Sequence, residues 1–204
     1  MHATPRAMLS LPVLLAAAVL AAAPAPAAQV LITVTNNQPA GGFGLTPFWL
    51  GIHDGTFDLF DSGAPASQAI EDVAELGDTG QLMADFAGQG VDTTLLSGGV
   101  VPPFLPGDSA SVLLDVADPA MLRYFSYASM VVPTNDLFVA NGNPLAFPIF
   151  DAAGTTLGPL TILIFGRNVW DAGTEVNDIL DGAAFVAGID ATLGTPEGGV
   201  VTLF

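Results

Sequence analysis

The sequence predicts an all-β protein, a β-sandwich or barrel, with one or two short helices in its connections. Three observations point there. Short runs rich in β-branched and aromatic residues recur along the chain. Glycine and proline clusters punctuate them, among them Gly41-Gly42, Gly98-Gly99, Pro102-Pro103, Pro106-Gly107 and Gly198-Gly199. One stretch alone carries helical periodicity. Many short strands separated by turn signals bury their apolar faces best by packing sheet against sheet.

The elements follow in order. Val30-Leu31-Ile32-Thr33-Val34-Thr35 is β-branched and bounded by Asn36-Asn37, which reads as a strand ending in a turn. Residues 48–52, 111–116, 124–132, 137–139, 161–165 and 200–204 are further strands. The stretch 124–132 alternates only in part and is expected to run through the middle of a sheet. Residues 160–165 are apolar except for Thr161, the pattern of a strand covered on both faces. Between residues 67 and 76, Ile70, Val73, Ala74 and Leu76 fall near helical spacing, and Gly77 suits the left-handed position that ends a helix. Residues 78–87 add a helical turn or two.

Composition bounds the setting. His2 and Arg6 precede an apolar run over residues 8–23, followed by Pro24-Ala25-Pro26-Ala27-Ala28. A charged start, a hydrophobic middle and a small-residue cleavage site are the layout of a secretory signal peptide. The run is too short and alanine-rich for a membrane span of about 20 apolar residues. The expectation is therefore a removable segment at 1–28 and an exported domain at 29–204, with no transmembrane segment after cleavage. The absence of cysteine excludes thiol catalysis and thiolate metal sites. It also leaves an exported chain without the disulfides such domains often use. Net charge is −17, with 20 acidic residues, no lysine, and only Arg123 and Arg167 as cations beyond residue 28. Such a surface repels nucleic acid and anionic lipid headgroups, since binding either depends on neutralising phosphates. It attracts cations; metal affinity and a dispersing, high-salt adaptation both account for it.

Two stretches concentrate hard oxygen ligands: Val131-Val132-Pro133-Thr134-Asn135-Asp136 and Trp170-Asp171-Ala172-Gly173-Thr174-Glu175. Each sets carboxylates in a polar, turn-rich segment beside an apolar run. Asp171 and Glu175 lie four residues apart around a glycine, so a turn there can aim both at one point. Ca²⁺ takes about six to eight oxygens in flexible geometry and suits loops of this kind. Taken one at a time, the same residues read equally as Asx turns or a helix cap. Zinc is disfavoured without cysteine or a histidine cluster, and Mg²⁺ by its demand for a rigid octahedron.

The same stretches resemble the "PSPDW" and "WDAGTD" segments of the spondin domain family. Phe48-Trp49-Leu50-Gly51-Ile52-His53 resembles that family's "SPLIGASH" strand, and residues 63–77 its "YASEGLKELAETG" helix. Phe125-Ser126-Tyr127-Ala128-Ser129-Met130 resembles the strand leading into the Pro-Asp loop. These segments are collinear across residues 31–177. The resemblance implies a C2-like sandwich that binds one Ca²⁺ on its loops and serves matrix or adhesion rather than catalysis. Carried over position by position, the Ca²⁺ ligands are Asp136, Asp171 and Glu175. Glu175 stands where the family has Asp, and Thr134-Asn135 replaces Ser-Pro before Asp136; backbone carbonyls and waters would complete the shell. The implied partner is an extracellular or cell-surface ligand, polysaccharide or protein.

Other constellations read more plainly. Asp54, Asp58 and Asp61 lack the glycine-centred loop and closing Glu of an EF-hand and suit a solvated loop; Asp115 and Asp118 suit a turn. His53 is the one histidine beyond the signal-like segment, and no G-x-S-x-G elbow accompanies it. Trp49 and Trp170 read either as core packing or as an aromatic platform for a sugar or peptide. Three rival functions stay open: a secreted hydrolase using a carboxylate pair, a small outer-membrane β-barrel suggested by export, β content and Phe204, and a purely structural envelope protein whose metal site has decayed. Barrel strands run about 9–11 residues, which 16 prolines interrupt.

Overall fold

The structure, a computed structural model, describes residues 27–97 and 104–204. Residues 1–26 of the signal-like segment and the Gly98-Gly99 and Pro102-Pro103 turns lie outside them, whereas Ala28, its last residue, already pairs in the first strand. Among the described residues the elements are β1 (Ala28–Thr35), β2 (Gly44–Leu45), β3 (Phe48–His53), α1 (Gln68–Leu76), α2 (Gly80–Phe86), β4 (Gly90–Leu95), β5 (Ser109–Val116), β6 (Tyr124–Val132), β7 (Leu137–Ala140), β8 (Trp170–Asp171) and β9 (Thr202–Leu203). A 3-10 turn occupies Gly166–Asn168.

Two antiparallel sheets result. β1 pairs with β5 along its whole length, from Ala28↔Val116 to Thr35↔Ser109. The larger sheet runs β4-β3-β6-β7-β8-β9, with β2 attached to β6, and is open at both ends. In β1, half-buried Val30, Ile32 and Val34 alternate with exposed Gln29, Leu31, Thr33 and Thr35. One face of the small sheet therefore packs and the other meets solvent.

In the central strands β3, β6 and β7 nearly every residue is buried. Both faces of the large sheet are covered, which makes three layers. On one face Phe48, Leu50, Ile52, Phe125, Tyr127 and Val139 meet Leu114 and Val116 of the small sheet. On the other, Trp49, Ala128 and Phe138 meet Ile70 and Val73 of α1 and Leu82 and Phe86 of α2. Alternate residues of β3 thus serve opposite cores, as a period of two requires. Ser67 Oγ accepts the Ile70 N–H at 3.3 Å to start α1, and Gly77, at φ 66°, ends it.

Two expectations about strands are corrected. Residues 160–165 form no strand: Leu160, Leu163, Ile164 and Phe165 are exposed, and the segment pairs with nothing along its length. An apolar run reports what a segment can bury, not that a partner strand is free to receive it. At the C-terminal end only Thr202–Leu203 of the expected 200–204 pairs. Gly90–Leu95, too polar to read as a strand, pairs with all six residues of β3.

Trp49 folds back over Gly51 two residues along its own strand. A Cβ at Gly51 would lie 2.6 Å from Trp49 Cζ2 and nearer still to Cη2. The indole has no room to retreat, being fully buried against Phe57 and Phe86. Overpacking of this kind costs about 1–3 kcal/mol. Gly51→Ala is expected to lower the unfolding free energy by that amount, read as a lower denaturant midpoint at unchanged slope; an unchanged midpoint would show that the indole can move.

Candidate metal centre

β6 leaves the sheet at Val132, turns through Pro133-Thr134-Asn135, and returns as β7 immediately after Asp136. β7 pairs with β8 through Leu137↔Asp171 and Phe138↔Trp170. That register sets the two acidic motifs side by side, and the Ala172 N–H donates to the Asp136 carbonyl at 3.2 Å. Beyond Asp171 the chain turns at Gly173, φ 68°, where a Cβ would strike the Val200 backbone. The turn is thereby held against Gly199, whose N–H donates to the Gly173 carbonyl at 2.7 Å.

Asp136 is fully buried, and its two oxygens fare differently. Oδ2 accepts from the Thr174 N–H at 2.9 Å, the Thr174 hydroxyl at 3.2 Å and the Glu175 N–H at 3.1 Å. Oδ1 is buried and has no partner. Beside it, Asn135 is buried and fully engaged. Its amide nitrogen donates to the Asp181 carbonyl at 2.6 Å and to Glu175 Oε2 at 3.4 Å, and its oxygen accepts from the Asp178 N–H at 3.1 Å. Asn135 therefore clamps residues 175–181 over the Asp136 corner. Glu175 is buried with its carboxylate against the bare backbone of Gly194. Asp171 is half-buried; Oδ1 accepts from the Gly173 N–H and Oδ2 from Asn177 Nδ2, both at 2.7 Å.

The electrostatics are those of crowded anions. Burial raises the Asp136 carboxyl above its ordinary range; the Glu175 N–H opposes this and Asp171 adds to it. Burial also raises Glu175, opposed by Asn135 and reinforced by Asp136, Asp181 and Glu71. Glu75 joins them from the last turn of α1. Its carboxyl is pushed up to about 7, first by desolvation, with Thr174 opposing and Glu175, Glu71 and Asp136 repelling.

The structure thus brings Asp136 and Glu175 together around Asn135, with Asp171 alongside but committed to its own turn. Among the described residues, no three His, Cys, Asp or Glu side chains converge as a ready-made cation cage. Glu75 went unnoticed in the sequence, although it left a signal there. An acid in the last helical turn opposes the helix dipole, and α1 has no basic residue in that turn to offset it.

His53 faces a different network. Its Nε2 lies 2.8 Å from Ser126 Oγ, a separation that invites comparison with a serine–histidine dyad. Nδ1, however, accepts from the Gly55 N–H at 3.0 Å, so in the neutral ring the proton is on Nε2 and points at the serine. Ser126 Oγ also accepts from Asn141 Nδ2 at 2.9 Å. A histidine already protonated at Nε2 cannot take the serine proton. The three side chains are a buried strut joining β3, β6 and the end of β7. Asp54 is exposed and caps its own turn through Thr56. Trp49 donates to Asp92 Oδ2 at 2.9 Å and belongs to the core, whereas Trp170 is half-buried.

No family model matches the chain, and no curated protein matches it. Among the described residues no helix is long and apolar enough to cross a membrane.

Burial lowers the pKa of His53 from 6.5, with Asp54 opposing. Below that ordinary value the unfolded chain takes up a proton the folded chain resists. The contribution of His53 to stability is therefore full above about pH 6.5 and is lost as pH falls through the lowered folded value. Denaturant midpoints of the parent chain and His53→Gln, measured between about pH 7.5 and about pH 5.5, are expected to diverge, with the parent losing more on acidification. Parallel curves would count against a buried neutral imidazole.

Proposed function

We propose that this chain is an exported, non-catalytic recognition module whose loops are organised by one Ca²⁺ ion. Asp136, Asp171 and Glu175 would hold it, with Glu75 adding charge from the helix, and the target is a polysaccharide or protein outside the cell. The observation that carries the reading is Asp136 Oδ1, a buried carboxylate oxygen with no donor. Leaving such a group unsatisfied costs about 1–3 kcal/mol, and more when it is charged. A cation would satisfy it and offset the repulsion among its neighbours. The donor set fits in kind, being hard oxygens on loops at a sheet edge. It is not assembled as a cage, and Asp171 would have to exchange its bond to Asn177 for the ion. The resemblance to spondin domains points the same way, because its two acidic motifs are the ones that β7–β8 pairing juxtaposes.

Ion binding would fasten the β6–β7 corner to the segment after β8, so metal and fold stability would be coupled. At a hundredfold excess over Kd, Ca²⁺ is expected to stabilise the chelator-stripped chain by about 2.7 kcal/mol, or about 5–10 °C in Tm. Asp171→Ala should abolish the response. Asp136→Asn should abolish it too, yet melt no lower than the stripped parent, since it removes a buried charge. A parent chain whose Tm ignores Ca²⁺ would sink the metal and leave crowded acids with a purely electrostatic cost.

A further inference from the structure

On the face of β8 opposite Asp171, Trp170 borders a groove of about 420 Å³, within the ~300–1,000 Å³ span of small-molecule sites. The groove opens beyond the end of β7, where Trp170 from the helix side of the sheet and Tyr127, Phe147 and Ile162 from the small-sheet side border one space. In a chain with 20 acidic residues, the lining contains no Asp or Glu and includes Arg167, one of three basic residues in the whole sequence. The Arg167 guanidinium lies over the Phe165 ring, 4.3 Å from its centre, and among the described residues forms no salt bridge.

The other lining groups suit hydroxyls and a flat apolar surface. Tyr127 is buried, and its hydroxyl has no hydrogen-bond partner among the described residues. Burial pushes this phenol up to about 12, so it stays a neutral donor and acceptor. Thr161 and Asn168 add a hydroxyl and an amide at the rim, and the half-buried Trp170 supplies a ring held by Phe60 at 4.9 Å. Asn141 is spoken for: it accepts from the Tyr127 N–H and donates to Ser126, and so forms a fixed wall.

We infer that this groove binds a saccharide carrying a carboxylate, a uronate unit of an acidic polysaccharide, with Arg167 on the carboxylate, Trp170 under the ring, and Tyr127, Thr161 and Asn168 on its hydroxyls. Guanidinium pairs with carboxylate through parallel N–H···O bonds. An aromatic face with a few placed polar groups is the composition of a site for an amphipathic ring. One cation amid an acidic surface admits a single carboxylate at the groove and disfavours a polyphosphate or a densely charged polysaccharide. This inference rests on the reading of the chain as a recognition module, but not on the cation.

The test is an NMR titration of the ¹⁵N-labelled protein, as processed by its host cell, with glucuronate, glucose and inorganic phosphate, each in chelator and in Ca²⁺. The Trp170 indole N–H reports the groove and the buried Trp49 indole serves as reference. Glucuronate is expected to shift Trp170 and not Trp49, saturating at millimolar concentration, with glucose about tenfold weaker. Arg167→Gln changes an exposed side chain and should bring glucuronate down to the glucose level; Tyr127→Phe, one oxygen lighter, should weaken binding several-fold. Glucose binding as well as glucuronate would overturn the role of Arg167, and absence of any Trp170 shift would overturn the site. Phosphate displacing glucuronate at equal concentration would reduce the groove to a general anion site. Glucuronate binding that is indifferent to chelator, in a chain whose Tm ignores Ca²⁺, would separate failure of the metal reading from failure of this one.

Discussion

Asp136 Oδ2 gathers three donors from Thr174 and Glu175, and that one oxygen ties the β6–β7 corner to the segment leaving β8. Strand pairing between β7 and β8 covers only two residue pairs, too few to fix the direction of the chain beyond them. The carboxylate does so from inside, where low polarity strengthens each bond. The same burial strands Oδ1. A single side chain thus secures the corner with one oxygen and leaves a charge deficit with the other, and the asymmetry follows from geometry: a turn presents its N–H groups from one side.

The neighbourhood of that corner is built in the same way. Glu175 supplies a backbone N–H to Asp136 while its own carboxylate must find space nearby, and it finds it where Gly182 and Gly194 leave no side chain in the way. Asn135 is neutral and can sit among three acids because it brings two donors and an acceptor and uses them all. The chain has no lysine, and Arg123 and Arg167 lie against Tyr124 and Phe165 instead of this group. Within the large sheet, buried on both faces, polar residues come as closed sets such as His53–Ser126–Asn141.

Much of the architecture was legible in the sequence. Residues 30–35 and 111–116 were readable as strands from their β-branched and apolar composition, although their alternating burial, with Leu31 and Leu113 exposed, was not; 124–132 alternates poorly because both of its faces are dry. Ser67 and Gly77 bound α1 through cap chemistry that is local by nature. Three things were not legible. Gly90–Leu95 is a strand because β3 offers it an edge, although its short, half-polar run did not stand out as one; its Asp92 receives the Trp49 indole N–H. Residues 160–165 have the composition of a buried strand and lie exposed, since pairing partners are a property of the whole fold. At the site, Asp136 and Glu175 meet as their motifs suggest, and Asp171 stands with them without converging. Glu75 arrives from a helix sixty-odd positions before Asp136 in the sequence, through a tertiary contact that no spacing rule encodes.

The small sheet has a further consequence, in time rather than in space. Every cross-strand partner of β1 lies in β5; Gln29 bonds to Asp115 and Thr35 to Ser109, 86 and 74 positions away. The earliest strand of the chain is therefore made long before anything exists for it to pair with. Closing so large a loop is entropically unfavourable, and folds dominated by such distant pairings form on about the millisecond-to-second scale. Among the sheet pairings only β6 and β7 are joined by a short turn and can pair locally; β3 must wait for β6 much as β1 waits for β5.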